Sequence, residues 1–311
     1  MIIFAILGFC LMYTLTDYCQ QPYTYDIAIC AIFKNEARFM REWIEFHKLV
    51  GVKHFYLYNN QSNDNFKEIL APYIECHEIE LFDWPFERQK GAWDTVVQCN
   101  AYNNALNRIR GIAKWVAFID LDEFLFPVAV DNLSQFLIDY ENYGGVCVNW
   151  AMFGTSNIEV IPDNGLMIEY LTMGGILDHE HNKHVKSIVR PERTEKFISP
   201  HYARYNKEFF QVTPDKVQFE GAFSPFPSHS KVRINHYYTR DIKWLMEKKM
   251  MDTISFLAKD HEYAKQFQVI EWCTAAAKNF SIRKDEAILK YVKELKKALN
   301  VTTNFMNQTK G

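Results

Sequence analysis

Asp120, Asp122 and Glu123 follow directly on an uncharged apolar run, Trp115 to Ile119, and apolar residues resume at Phe124. A run of that kind, with Val and Ile inside it, suits a strand buried on both faces of a sheet. Carboxylates rarely bury without partners. The strand is therefore expected to end at Asp120, with the acids at its carboxyl end, where open α/β sheets bind ligands. In an extended chain, residues two apart point the same way, so Asp120 and Asp122 would share one side. Two hard oxygen donors, with room for water and phosphate oxygens, suit Mg²⁺ or Mn²⁺. An isolated Asp-x-Asp is more often a solvated acidic turn, because short motifs match by chance. What surrounds the acids decides between the two.

Asp26 to Phe33 reads as a first buried strand. Lys34-Asn35-Glu36 opens a helix to Val50, with Phe39, Trp43, Phe46 and Val50 at helical spacing and Gly51 just past its end. Val52 to Tyr58 is a second strand. It runs into the polar loop Asn59 to Asn65, then a short helix from Phe66 to Ile74 and a third strand from His77 to Phe82. A helix from about Ala92 to Arg110 leads to the strand that ends in the acids. Strands alternating with helices predict an α/β fold, mostly parallel, with right-handed crossovers. A helix near Leu133 to Tyr140 and a strand from Gly145 to Trp150 follow. From Met152 to about Ile234 the pattern loosens, and such stretches on a sheet scaffold usually carry substrate contacts. Residues 241–311 read as a helical extension. The expected organisation is an apolar segment over 1–25, a catalytic domain over 26–240 and that extension.

The chain has 311 residues, 48% hydrophobic and 15% aromatic, with net charge −3. That supports a large core. A nucleic-acid binder would show a basic excess, so none is expected as a partner. Cys30, Cys76, Cys99 and Cys147 fall in apolar or periodic segments without zinc spacing and read as small thiols. Residues Met1 to Thr16 carry no charged side chain. The run is short for a spanning helix and lacks Lys or Arg ahead of it. A single-pass N-terminal anchor, with membrane-associated localisation, and a greasy element docked on a cytoplasmic domain both remain open. Sequons at Asn60, Asn132, Asn279, Asn300 and Asn307 permit a secretory route without establishing it.

Six motifs, in order, carry a resemblance: Lys34-Asn35-Glu36, Glu42 to His47, Phe55 to Asn60, Lys114 to Leu125, Lys186 to Val189, and Asn235-His236-Tyr237. Together they resemble glycosyltransferase family 92, within the nucleotide-sugar transferases of GT-A fold. The resemblance runs from about Ile27 to Arg240. It implies a Rossmann-like nucleotide-binding sheet and a metal-dependent, inverting transfer of a hexose, with UDP-galactose the donor favoured, to a glycan hydroxyl. It implies Asp120, Asp122 and His236 as metal ligands for Mn²⁺ or Mg²⁺. Asn35, Glu36, Asn59, Asn60 and Asp64, just past the first two strands, would read uracil and ribose, which would make Asn60 a poor sequon. Turn chemistry is the alternative for these residues. A core histidine is the alternative for His236. Lys186, Arg190, Lys231 and Arg240 would meet phosphate or lie as ordinary charge.

Inversion needs a carboxylate base on the acceptor side. Asp163, Glu169, Asp178, Glu180 and Glu220 are candidates, with Glu169 and Glu180 taken first. Glu123 would hold sugar hydroxyls or cap a turn. Trp150, Phe153 and Tyr202 would stack on a sugar or fill core. Glu169-Tyr170 stands where the family leads one to expect a basic residue, so acceptor contacts are not carried over. Two rivals remain. A haloacid-dehalogenase-type phosphatase also ends a strand in Asp-x-Asp, but normally continues Gly-Thr near the chain start. A catalytically inactive sugar-nucleotide-binding module would keep the same residues.

Overall fold

The structure is a computed structural model that describes residues 23–86, 93–250, 254 and 263–299. The anchor expected over residues 1–25 therefore lies almost wholly outside the described residues. Among the described residues, no helix is long and apolar enough to cross a membrane.

Four strands form the parallel half of the main sheet: β1 (Tyr25–Phe33), β2 (His54–Asn59), β3 (Ile79–Asp83) and β4 (Ala113–Phe118), in the order β3-β2-β1-β4. The connecting helices are α1 (Ala37–Leu49), α2 (Phe66–Glu75) and α3 (Cys99–Ile109), the last entered through a π-helical turn, Trp93–Gln98. Both faces of β1 are buried. Ile27, Ile29, Ala31 and Phe33 pack with α1 residues Phe39, Trp43 and Phe46, while Ala28, Cys30 and Ile32 pack with α3 residues Tyr102, Ala105 and Leu106. The two-residue period of the strand thus feeds two cores, which is why its sequence reads as unbroken apolar.

α1 has no side-chain cap of its own. Asp64, from the polar loop after β2, supplies one, its Oδ2 accepting the Ala37 N–H at 2.8 Å. At the other end Gly51 takes φ +108°, the left-handed conformation a helix stop favours.

After β4 come β5 (Glu123–Pro127), α4 (Leu133–Leu137), β6 (Gly145–Met152), the single turn α5 (Met167–Tyr170) and β7 (Met173–Gly174). The loose region then supplies β8 (Val185–Val189), the hairpin β9 (Thr194–Phe197) and β10 (Ala203–Tyr205), β11 (Gln211–Val212) and β12 (Val232–His236). The sheet continues from β4 as β8-β6-β12-β5, with β11 beside β6. β8 is antiparallel to β4 and to β6, and β5 is antiparallel to β12. The other main-sheet ladders are parallel, so the sheet is mixed with a parallel majority.

Two differences from expectation bear on the site. β4 stops at Phe118, two residues before Asp120. The apolar residues after the acids form β5, a strand that periodicity over five residues does not distinguish from the start of a helix. The C-terminal extension holds α6 (Ile242–Trp244), α7 (Tyr263–Asn279) and β13 (Arg283–Lys284), and β13 pairs with β7.

Candidate active site

Parallel strands place their carboxyl ends on one edge. Asn35 and Glu36 follow β1, Asn60 follows β2, Trp84 follows β3 and Asp120 follows β4. β12 brings His236 to the same place: His236 pairs with Glu123 across the β12–β5 ladder, and Tyr237 N–H donates to Asp122 O at 2.8 Å. The neighbourhood of His236 and Asp122 is therefore fixed by backbone register.

The acids sit on a turn. Glu123 N–H donates to Asp120 O at 3.1 Å, and Glu123 Oε2 accepts Asp120 N–H at 2.8 Å. α1 braces the turn from below. Trp43 Nε1–H donates to Glu123 O at 2.8 Å; His47 Nε2 accepts Leu125 N–H at 3.1 Å while its Nδ1–H donates to Trp43 O at 2.8 Å. A turn does not keep the two-residue alternation of a strand. Asp120 and Asp122 accordingly have separate partners.

Asp120 Oδ1 accepts from Gln98 Nε2 at 2.8 Å and from the Tyr102 hydroxyl at 3.3 Å, and Oδ2 accepts from Lys186 Nζ at 2.7 Å. Asp122 Oδ1 lies 3.5 Å from His236 Nε2, and Oδ2 lies 3.3 Å from Lys249 Nζ. Among the described residues no three His, Cys, Asp or Glu side chains gather as a metal-binding group. His236 Nδ1 is buried without a partner. The residues fit a cation held by Asp122 and His236 with its remaining ligands from diphosphate and water, as Mg²⁺ is usually bound. Asp120 would join them by sharing its carboxylate, which is 33% exposed, between the cation and Lys186.

The electrostatics follow this division. Burial would push Asp122 up, but Lys249 and His236 outweigh it and hold its carboxyl well below the usual range. Burial raises Glu123, against Lys186 and with the help of Asp120 and Asp122. Lys186 would lose its proton more easily on burial, yet Asp120 and Glu123 raise it instead. Glu36 is raised by burial, opposed by Arg240 at 2.5 Å. That guanidinium lies buried over Trp244 and Phe39, and its N–H groups make no aligned hydrogen bond despite the short approach to Glu36. The close distance with poor alignment reads as a charge contact rather than a hydrogen bond.

The residues past β1 and β2 hold one another. Asn63 N–H donates to Asn35 Oδ1 at 2.8 Å, Ser62 N–H to Asn59 Oδ1 at 2.9 Å, and Asn60 Nδ2 to the carbonyls of Trp84 and Phe86, both at 2.8 Å. Asn35 takes φ 57°, which asparagine tolerates. Asn59, Asn60 and Asp64 thus do turn chemistry, Asp64 Oδ1 stays buried without a partner, and Asn60 is 2% exposed, which disfavours it as a sequon. Lys186 is fully buried on the acids. Arg190 stacks over Trp115, and Lys231 pairs with Asp215. Glu169 pairs with Lys296 at 2.6 Å and Glu180 with Lys183 at 3.0 Å; neither bonds to Asp120, Asp122 or His236. Phe153 is core, whereas Trp150 is half-buried and lies 4.4 Å from the His236 ring. Burial lowers His181 and His184 below the ordinary imidazole value and takes His201 to about 3, so these rings are neutral at pH 7.

The sequence reading missed Gln98, Tyr102 and Lys249, and carried Trp43 and His47 only as part of the Glu42–His47 motif, without a role. Gln98 and Tyr102 are four apart, one face of a helix leading to the acids, a signal that was there to use. Nothing local marks Lys249, which reaches Asp122 from 127 positions away.

The family model for glycosyltransferase family 92 matches residues 25–299. The chain belongs to glycosyltransferase family 92. The resemblance carried by the six motifs is borne out, and the phosphatase reading falls with it. A family 92 protein of Ricinus communis is 28% identical over 199 residues, 62% of this chain and 34% of that protein. The β-1,4-galactosyltransferase galt-1 of Caenorhabditis elegans is 37% identical over 119 residues, 34% of this chain and 26% of that one. The solved structure of S. aureus TarS with UDP is similar at TM-score 0.34 and 14% identity, over 53% of this chain and 47% of that one. The chain spans about a third of the length of the curated relatives it matches. The mixed α/β sheet agrees with the GT-A fold expected of the family.

Proposed function

We propose that this family 92 chain transfers a hexose from a UDP-sugar to a glycan hydroxyl with inversion, galactose being the favoured sugar. The observation that carries the reading is the gathering of Asp122, His236, Lys249 and Arg240 at the carboxyl edge of the sheet, beside Glu36. Relatives named as galactosyltransferases support the choice of sugar.

Asp122 and His236 are the side chains that would hold a divalent cation, and such a cation neutralises the charge a departing diphosphate gathers. Arg240 and Lys249 add fixed positive charge near the same place, aimed where that charge develops. Asp120 works one step back. With Lys186 and Glu123 it keeps the turn rigid, so that Asp122 is presented without reorganisation. Trp43 and His47 lock the same turn from α1. For the base we favour Glu180 over Glu169. Its pairing with Lys183 is a solvent-exposed contact worth little, and it adjoins His181, whose ring leads back toward Trp150.

The test is nucleotide release from UDP-galactose, UDP-glucose and GDP-mannose, with β-1,4-galactan present, in Mn²⁺ and in EDTA. UDP release from UDP-galactose that needs Mn²⁺ is expected; no release from any donor sinks the transferase reading. UDP binding that ignores Mn²⁺ and survives Asp122→Ala would favour the inactive binding module. Glu180→Gln is expected to lower kcat about 100-fold or more with the donor KM unchanged; an unaltered kcat removes Glu180 from the reaction.

A further inference from the structure

Three cations stand around the acids, and they are held differently. Lys186 is 1% exposed and lies 2.7 Å from Asp120 and 3.7 Å from Glu123, so its ammonium is locked between two carboxylates. The Arg240 guanidinium is buried between Phe39 and Trp244, at 4.9 and 4.4 Å, and faces Glu36. Lys249 is 26% exposed, and its Nζ lies 3.3 Å from Asp122 Oδ2 and 3.4 Å over the Tyr238 ring. It is the most exposed of the three. Its charge is compact and rides on a flexible stem, so a small swing takes it off Asp122, and the Tyr238 face gives it a second place to rest.

The stretch that carries Lys249, Leu245–Met250, is wound as π-helix, a rare winding that recurs at functional sites. Leu245 and Met250 pack with Cys273 of α7. A cavity of about 490 Å³ is lined by Leu245 and Met246 of this stretch and by Cys273, Thr274 and Ala277 of α7. The wall that delivers Lys249 to Asp122 is therefore not packed solid behind, and it has room to shift. Lys186, by contrast, comes from β8, inside the main sheet, where the backbone has no such freedom.

Asp122 is the carboxylate that, with His236, would hold a divalent cation, and Lys249 already neutralises it. An ammonium 3.3 Å from that carboxylate repels any second cation brought to it. We propose that Lys249 is an exchangeable counter-ion of Asp122. It makes the donor-free protein a poor binder of a divalent cation alone, and it passes from Asp122 to the diphosphate when the UDP-sugar arrives, so that cation and nucleotide enter together. The proposal rests on the metal-dependent transferase reading above and deepens it by setting an order of binding. Lys249 then has an anionic partner at each stage, first the carboxylate and then the diphosphate, and the site stays charge-balanced throughout.

The probes are Mn²⁺, read by its electron paramagnetic resonance signal, and UDP, read by calorimetry, at one ionic strength. The proteins are the wild type, Lys249→Met and Lys249→Gln, which remove the charge, and Lys249→Arg, which keeps it, with circular dichroism confirming the fold. Without UDP, both neutral variants are expected to bind Mn²⁺ about tenfold more tightly than the wild type, and Lys249→Arg to stay near it. At saturating Mn²⁺, UDP affinity is expected to move the other way, about tenfold weaker in the neutral variants. A lysine that only props up the fold would weaken both constants together. Unchanged or weaker Mn²⁺ binding in the neutral variants, or an unchanged UDP affinity, overturns the proposal. So does the absence of Mn²⁺ binding in all four proteins, with or without UDP. Both constants are read without turnover, so opposite shifts alongside absent UDP release from every donor would sink the transferase reading and leave the exchange standing.

Discussion

Asp120 and Asp122 look equivalent in the sequence and are not equivalent in the fold. Asp122 faces His236 and Lys249 at the site, whereas Asp120 neutralises the buried Lys186. Their substitutions should therefore fail differently. Asp122→Ala is expected to cut transfer by about 100-fold or more, the scale at which a residue serving the transition state acts, with a smaller fall in Tm than Asp120→Ala, since its partner Lys249 is 26% exposed and Lys186 only 1%. Retained transfer would refute its role. Asp120→Ala leaves a buried ammonium with only Glu123 near it, and breaking such a pair costs about 3–5 kcal/mol. It should lower stability as well as activity. Asp120→Leu combined with Lys186→Met should recover much of the stability and none of the activity, since replacing both partners is far cheaper than removing one. Urea midpoints for the two singles and the double decide this. Equal losses in singles and double would show that the pair is not what holds the turn.

At the scale of elements, α1 is the member that positions the chemistry, and His47 reports on it. Burial takes its imidazole down to about 3, against a hydrogen bond to Trp43 O that favours the charged form. With Nδ1 donating and Nε2 accepting, the neutral ring is fully used, and a second proton would evict the Leu125 N–H. The folded value lies below the unfolded one, near 6.5. Between those values the unfolded chain binds the extra proton, so stability rises with pH across the window and is lost as pH falls from about 6.5 toward 3. The loss is on the order of 5 kcal/mol from this group. His47→Gln should be less stable at pH 7 but flatter across that window in thermal melts; parallel curves for the two proteins would remove His47 as the cause.

The helix, its Gly51 stop and the buried β1 and β4 were legible because period and punctuation are local. β5, the turn at the acids and the joining of Trp43 to Glu123 across 80 positions were not. A turn bounded by two strands reads like one strand with polar residues in it, and long-range hydrogen bonds leave no periodic trace. The carboxyl-edge placement of Asp120 could be anticipated; His236 entered only through the resemblance, and its contact with Asp122 left no local signal. The occupation of Asn59 and Asn60 by their own loop could not be told from ligand binding, because asparagine suits both.

On the scale of the molecule, three of the contacts that tie the C-terminal extension to the rest of the chain bear on its stability. β13 pairs with β7. Gly154 N–H donates to Phe280 O, where a Cβ on residue 154 would come within 2.2 Å of Ser281 Oγ. Arg233 of β12 holds Asp285 through two hydrogen bonds, of 3.0 and 2.6 Å, with both side chains 5% exposed. Burial would raise Asp285, but Arg233 outweighs it and keeps its carboxyl well below the usual value. The folded value is thus the lower one, so this pair stabilises the protein above about pH 4 and is lost as pH falls below it. Asp285→Ala leaves Arg233 with no buried counter-charge, and about 3–5 kcal/mol of stability should go with it. Because α7 lies in the same extension, the loss should reach α7 before the parallel strands. Hydrogen exchange separates the possibilities. Amides of β7, β13 and α7 should exchange faster in Asp285→Ala, while those of β1 and β2 hold their protection. Uniform acceleration would mean that the extension and the sheet unfold as one unit, and that the clasp stabilises the whole rather than the extension alone.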